Sequence, residues 1–152
     1  MDFFHLIKTG DLAAIDDCIK TDSTIVNRID ARGFTPLVMA TYSDQIEVAE
    51  TLIANGAKIN AQDRVGNTAL MGVCFKGNIK IIEMLLSNGA DINIQNHQKS
   101  TALIYAASFG HKSVVELLVQ SGADVPLKDD KGNTAKSAAE DKEHKEIVDL
   151  LD

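Results

Sequence analysis

Thr35, Thr68, Thr101 and Thr134 follow one another at steps of 33 residues, and no other feature of the chain narrows its possible folds as much. Three further columns keep the same step: Gly33, Gly66 and Gly132; Gly56, Gly89 and Gly122; Asn27, Asn60 and Asn93. A period in this range marks stacked supersecondary units, none of which can bury its apolar face alone.

Each period reads as two short helices and a loop. In Gly33-Phe34-Thr35-Pro36-Leu37 the Thr35 hydroxyl can cap a helix and Pro36 suits its first turn, so a helix is predicted to start at about residue 36. Leu37, Ala40 and Thr41 lie at helical spacing on one side, where small residues let a neighbouring helix come close. After Ser43-Asp44, the spacing of Val48, Ala49, Leu52 and Ile53 predicts a second amphipathic helix, closed by Asn55-Gly56. Lys58 to Asp63 then lead into a turn before Gly66, and asparagines such as Asn60 and Asn93 are expected to hydrogen-bond within that turn. Units beginning Thr68-Ala69-Leu70 and Thr101-Ala102-Leu103 repeat the scheme. Helices of about eight to ten residues do not persist alone in water, so each unit depends on its neighbours.

The two ends depart from the pattern. Asp2-Phe3-Phe4-His5-Leu6 replaces the Thr-Pro-Leu phrase, and Gly10 stands one residue early against Gly77 and Gly110, which implies a one-residue insertion between Gly10 and Ser23. In the last unit Lys136, Ser137, Glu140 and Glu143 occupy columns that are apolar or glycine elsewhere, as suits an outer face with no neighbour. Ile147, Val148, Leu150 and Leu151 are expected to point inward.

Composition sets the remaining bounds. The chain has 152 residues and is 45% hydrophobic, enough for one cored domain; with 5% aromatics and no tryptophan, Leu, Ile, Val and Ala must fill that core. A net charge of -7 without a basic cluster argues against nucleic acid or an anionic membrane as partner. The amino terminus lacks the basic start of an export signal, and no apolar run is long enough to span a bilayer, so a cytoplasmic location is expected. Cys18 and Cys74 are too few for a disulfide framework and are read as small buried side chains. His5, His97, His111 and His144 have no metal-ligand spacing, and no glycine phrase matches a phosphate loop. No cofactor or metal is expected. Cys74 with His97 or His111 is a poor candidate for a nucleophile and base, because the Cys74 column also holds Thr41 and Ala107 and is expected to be buried.

The 33-residue step, Gly-Phe-Thr-Pro-Leu and Ser87-Asn88-Gly89-Ala90-Asp91-Ile92-Asn93 resemble the ankyrin repeat over nearly the whole chain. The resemblance implies an all-α solenoid of stacked helix-turn-helix units with projecting β-hairpin-like loops. It divides the chain into a capping repeat over 1–31, full repeats over 32–64, 65–97 and 98–130, and a second cap over 131–152, as in a small stand-alone protein. Departures carry expectations of their own. Lys99 replaces a loop glycine, predicting a less regular tip at His97-Gln98-Lys99-Ser100; Val38, Met71 and Ile104 replace the family's histidine, predicting looser bonding between neighbouring loops.

The resemblance also implies binding rather than catalysis: a monomeric scaffold or regulatory adaptor that grips a partner protein through its concave side. A small-ligand site or an enzyme active site in the groove is the alternative. Carried over by column, the contact positions are Arg32, Phe34, Arg64, Val65, Asn67, His97, Gln98, Ser100, Lys131 and Asn133 on loops, with Tyr42, Phe75, Lys76, Ser108 and Phe109 at the edge of the first helices. Tyr42, Phe75 and Phe109 recur in the same or adjacent columns, and with Phe34 they suggest an aromatic strip flanked by Arg32, Arg64, Lys76 and His97. Such a strip would favour an acidic or amphipathic segment. The competing reading is that these rings pack between helices and loops.

Overall fold

The structure, a computed structural model, describes residues 2–152. Ten α-helices follow in pairs: α1 (Phe3–Thr9) and α2 (Leu12–Thr21), α3 (Pro36–Tyr42) and α4 (Ile46–Ala54), α5 (Ala69–Lys76) and α6 (Ile79–Ser87), α7 (Ala102–Ser108) and α8 (Lys112–Gln120), α9 (Ala135–Asp141) and α10 (Lys145–Leu150). A 3-10 turn, Ser23–Asn27, follows α2, and no strand occurs among the described residues. The predicted all-helical stack is therefore the observed one. α2 has ten residues where α4, α6 and α8 have nine, which accommodates the early Gly10.

The threonine column starts the first helices. Thr35, Thr68, Thr101 and Thr134 each accept a hydrogen bond at Oγ1 from the backbone N–H three residues on, at 3.0, 3.3, 3.2 and 3.2 Å. A cap of this kind contributes about 1 kcal/mol. Those helices then pack on one another in a row, α1 on α3, α3 on α5, α5 on α7 and α7 on α9, with Ala40, Ala69, Cys74, Ala102, Ala106, Ala107, Ala135 and Ala139 buried along it. The second helices bring Val48, Leu52, Ile81, Ile82, Leu85, Val114, Val115 and Leu118 instead, and their row is less closely spaced. The closer approach of the first helices bends the stack, so the first helices and the loops lie on its hollow side.

Two polar ladders tie the units together. The residue opening each second helix reaches back to a carbonyl at the end of the preceding first helix. Gln45 Nε2 donates to Lys8 O at 2.9 Å, His111 Nε2 lies 2.8 Å from Phe75 O, and His144 Nε2 lies 3.1 Å from Ser108 O. A carbonyl only accepts, so each imidazole carries its proton on Nε2. Asn78 is too short for this and bonds Asp44 Oδ1 at 3.0 Å, while Lys76 Nζ takes the Tyr42 carbonyl. These contacts satisfy carbonyls that a helix end leaves without partners. The His111 ring also sits where a Cβ on Gly77 would be, 2.8 Å from its Nδ1, so a ring in this column requires a glycine in the unit before.

The second ladder overturns one expectation. Asn27, Asn60 and Asn93 do not serve their own turns but the following unit's: their Oδ1 atoms accept from Lys58 N, Asp91 N and Asp124 N, each at 2.8 Å. The turn of one unit lies directly against the start of the next, and the amide side chain spans the gap.

The projecting loops are uniform, against the prediction of an irregular third tip. Asp30, Asp63, Asn96 and Asp129 each accept two loop N–H groups on Oδ1, two and four residues on, at 2.8–3.0 Å. Lys99 adopts the left-handed φ of 59° that glycine has elsewhere, because the Asn96 clamp holds the backbone there. Neighbouring loops are not loosely bonded either. His97 N donates to Val65 O at 3.1 Å and Asp130 N to Gln98 O at 2.9 Å, while Gln62 and Gln95 bridge to Gln95 O and Lys128 O. Backbone and glutamine replace what a histidine after Thr-Pro-Leu was expected to supply.

Two further expectations fail at the ends. Cys18 is half-buried rather than buried. Leu150 is exposed, while Ile147 alone of the last apolar stripe is fully buried; the six-residue α10 is too short to turn both inward.

Candidate protein-binding groove

Tyr42, Phe75 and Phe109 are large apolar side chains that stand 48%, 42% and 48% exposed at the ends of α3, α5 and α7. Residues on the buried side of those helices fill the core, so these rings face outward by helical phase. Phe75 and Phe109 meet edge to face, with ring centroids 4.5 Å apart at 72°. Lys76 Nζ lies 5.0 Å from the centre of the Tyr42 ring, and the Arg32 guanidinium lies 5.0 Å from that of Phe34. Such contacts keep a cation beside an aromatic face at little cost in hydration.

Around these rings the hollow side forms a chain of clefts. One of about 500 Å³ is lined by Lys8, Arg32, Phe34, Val38, Met39 and Tyr42, together with Asp63, Asn67 and Gly72. Tyr42, Asn67 and Gly72 also border a smaller one of about 310 Å³ with Met71, Phe75, Tyr105 and Phe109. Tyr105 and Phe109 continue into a third of about 390 Å³, lined by Gln98, Ile104, Asp130, Lys131, Asn133, Asp141 and Lys142. Shared residues make the three continuous.

The positions expected from the resemblance separate by exposure. Arg32, Tyr42, Arg64, Val65, Phe75, Lys76, His97, Gln98, Phe109 and Lys131 are exposed. Phe34, Asn67, Ser108 and Asn133 are half-buried. Ser100 is 6% exposed and its N–H is held by Asn96 Oδ1, yet it borders the third cleft together with Ser108. Arg64 is turned onto the Ala31 carbonyl at 2.7 Å and steadies the adjoining loop. Lys8, Met39, Gly72 and Tyr105 line the groove without having been expected. Met39, Gly72 and Tyr105 share one column of the 33-residue step, three positions before the Tyr42, Phe75 and Ser108 column, and that spacing was available in the sequence.

Electrostatics follow from the same contacts. Lys76 Nζ is 2.8 Å from Asp44 Oδ2, and this bond, with that from Asn78, holds the Asp44 carboxyl below its ordinary range. Lys8 and Arg64 make no ion pair among the described residues. The Phe34 end of the groove is thus more cationic than a chain of net charge -7 suggests, while the Phe109 end mixes Asp130 and Asp141 with Lys131 and Lys142.

A sequence model of ankyrin repeats in three copies matches residues 70–151, and one of ankyrin repeats in many copies matches 39–86. The chain belongs to the ankyrin repeat family. The Ankyrin repeat and SAM domain-containing protein 6 of Danio rerio is 36% identical over 58 residues, a stretch that covers 38% of this chain and 8% of that protein. Among the described residues no helix of this ankyrin array is long and apolar enough to cross a membrane.

In the array the two thiols differ. Cys74 is fully buried in α5, and burial pushes its thiol far up from the ordinary value, whereas Cys18 is half-buried. Thiolate is the reactive form, so a maleimide reagent at neutral pH is expected to label Cys18 in the folded protein and Cys74 only after denaturant is added. Peptide mapping of the labelled sites checks this; labelling of Cys74 at the rate of Cys18 in buffer would contradict its burial.

Proposed function

We propose that the chain is a monomeric, cytoplasmic regulatory adaptor that binds a partner protein along its hollow side, through an acidic or amphipathic segment. Ankyrin repeats are in general protein–protein interaction modules. The observation that carries the reading for this chain is the row of exposed aromatics at successive units. A soluble protein spends no burial energy on such a row, and exposed aromatic anchors beside cations are what interface hot spots are made of. The unpaired cysteines suit a reducing compartment. A small-ligand or catalytic site gains no comparable support, for Cys74 is sealed in the core and His111 and His144 are committed to backbone carbonyls.

The test replaces Tyr42 and Phe75 by alanine together. Surface substitutions of this kind are expected to change stability by only about 0.5 kcal/mol each, while loss of two hot-spot rings weakens binding by about 2 kcal/mol or more, some 30-fold. Thermal melting and pull-down with mass spectrometry, run on both proteins, read the two effects. A large fall in melting temperature would assign the rings to the core and remove the proposal's basis.

A further inference from the structure

We infer that Gly72 sets the specificity of the groove: the recess in front of it takes one large apolar side chain, Leu, Ile, Met or Phe, from an acidic segment of the partner protein. The inference rests on the reading that the groove binds such a segment.

Glycine is a poor choice inside a helix, because it leaves the backbone more freedom to lose on folding. It is kept where a left-handed φ or a close neighbour excludes any side chain. Gly66 is such a case: its φ is +86° and an added Cβ would lie 2.7 Å from the backbone nitrogen of His97. Gly72 is not. It lies within α5, it is absent from the positive-φ residues, and a Cβ built on it would meet only Tyr42 Cδ2, at an ordinary 3.9 Å. Folding therefore gives no reason for a glycine there.

What the missing side chain does is open space. The same column holds Met39 in the unit before and Tyr105 in the unit after, so the wall of the groove runs large, empty, large. Tyr105 is held in place by its hydroxyl, 2.8 Å from Asn96 Nδ2. The recess is bordered by Tyr42, Met71, Phe75 and Tyr105, and it lies where the first cleft meets the smaller one beside it. An apolar group entering it lies against the Tyr42, Phe75 and Tyr105 rings, the setting of an anchor.

Charge fixes what flanks that anchor. Lys8 and Arg32 line the cleft next to the recess, and Arg64 stands on the adjoining loop tip. The carboxylates nearby are already engaged: Asp63 by the N–H groups of Val65 and Asn67, Asp30 by those of Arg32 and Phe34 and by the Arg32 guanidinium, Asp44 by Lys76 and Asn78. Lys8 remains for an incoming Asp or Glu, and a basic segment meets repulsion at that end.

The experiment selects random twelve-residue peptides by display on the intact chain and measures each selected peptide by fluorescence anisotropy against the unaltered protein, Gly72→Ala, Gly72→Leu, Lys8→Glu and the Tyr42→Ala/Phe75→Ala protein. Enriched peptides are expected to share one large apolar residue with Asp or Glu close by. Gly72→Leu is expected to raise Kd by about 30-fold, the size of a hot-spot loss, with its melting temperature unchanged or higher. Gly72→Ala gives a smaller rise in the same direction, and supplies the readout should the leucine variant melt early. Shortening the peptide's anchor to alanine should narrow the difference between Gly72→Leu and the unaltered protein. Peptides that lose binding on Tyr42→Ala/Phe75→Ala yet bind both Gly72 variants unchanged overturn the inference while leaving the groove reading standing. Indifference to every variant overturns both, and enrichment of basic peptides overturns the assignment of charge.

Discussion

Gly66→Ala is expected to lower stability by about 2–4 kcal/mol, which for a chain of this size is a fall in melting temperature of about 5–15 °C. Two costs add. Alanine must hold the left-handed φ of +86°, worth about 1–2 kcal/mol, and its methyl group would meet His97 N at 2.7 Å and Asn96 Cα at 3.0 Å, both backbone atoms of the next loop. Separating the loops then breaks the bond from His97 N to Val65 O and strains the one from Gln62 Nε2 to Gln95 O, at about 1 kcal/mol each. Gly132 occupies the same column with a φ of +83°, but a Cβ there meets nothing within 4 Å. Gly132→Ala should therefore show the backbone cost alone, roughly half or less of the Gly66 effect. Thermal melts of the two variants decide it; equal losses would mean that contact between loops contributes nothing.

Asn96→Ala comes next, with an expected loss of about 2–4 kcal/mol on urea denaturation. Asn96 is buried and uses all of its amide: Oδ1 accepts from Gln98 N and Ser100 N at 3.0 and 2.9 Å, and Nδ2 donates to the Tyr105 hydroxyl and Asn67 Oδ1 at 2.8 and 2.9 Å. Alanine leaves these groups in a site too small to hydrate them all. The other three loops carry aspartate in this column, which explains what the amide is for: only here must the clamp also donate, because Asn67 and Tyr105 stand opposite. Asn96→Asp should keep the loop and lose about 1 kcal/mol, chiefly the bond to Asn67. Since Tyr105 lines the groove, the alanine variant should also weaken binding, and the aspartate variant less so. An aspartate variant as stable as the unaltered protein would show that the donor side of the amide is idle, and equal losses in the two variants would show the same of its acceptor side.

The residues missed on the groove share one character: they matter through what lies across from them. Gly72 reads as a weak point in α5 until Met39 and Tyr105 are set beside it, and Lys8 belongs to a first unit whose repeat phrase is missing. The exposed strip of Tyr42, Phe75 and Phe109 was nameable as a column, but its choice between groove and core was not, because helical phase at a helix end shifts with one residue of capping. The burial of Ser100 was hidden for the complementary reason. It sits in a loop, where polar residues are usually wet, and only the Asn96 clamp folds the loop over it.

The repeat step, the threonine caps and the small-residue columns were enough to determine that this chain stacks pairs of short helices, since those features act within a unit or through a strict translation to the next. Contacts between units that are not simple translations were settled only in three dimensions. The asparagine ladder crosses to the following turn, histidines 111 and 144 close carbonyls one unit back, and Lys99 takes a glycine's conformation. Local rules specify a unit because its partners are a few residues away; partners 31 to 36 residues apart are chosen by how two surfaces meet.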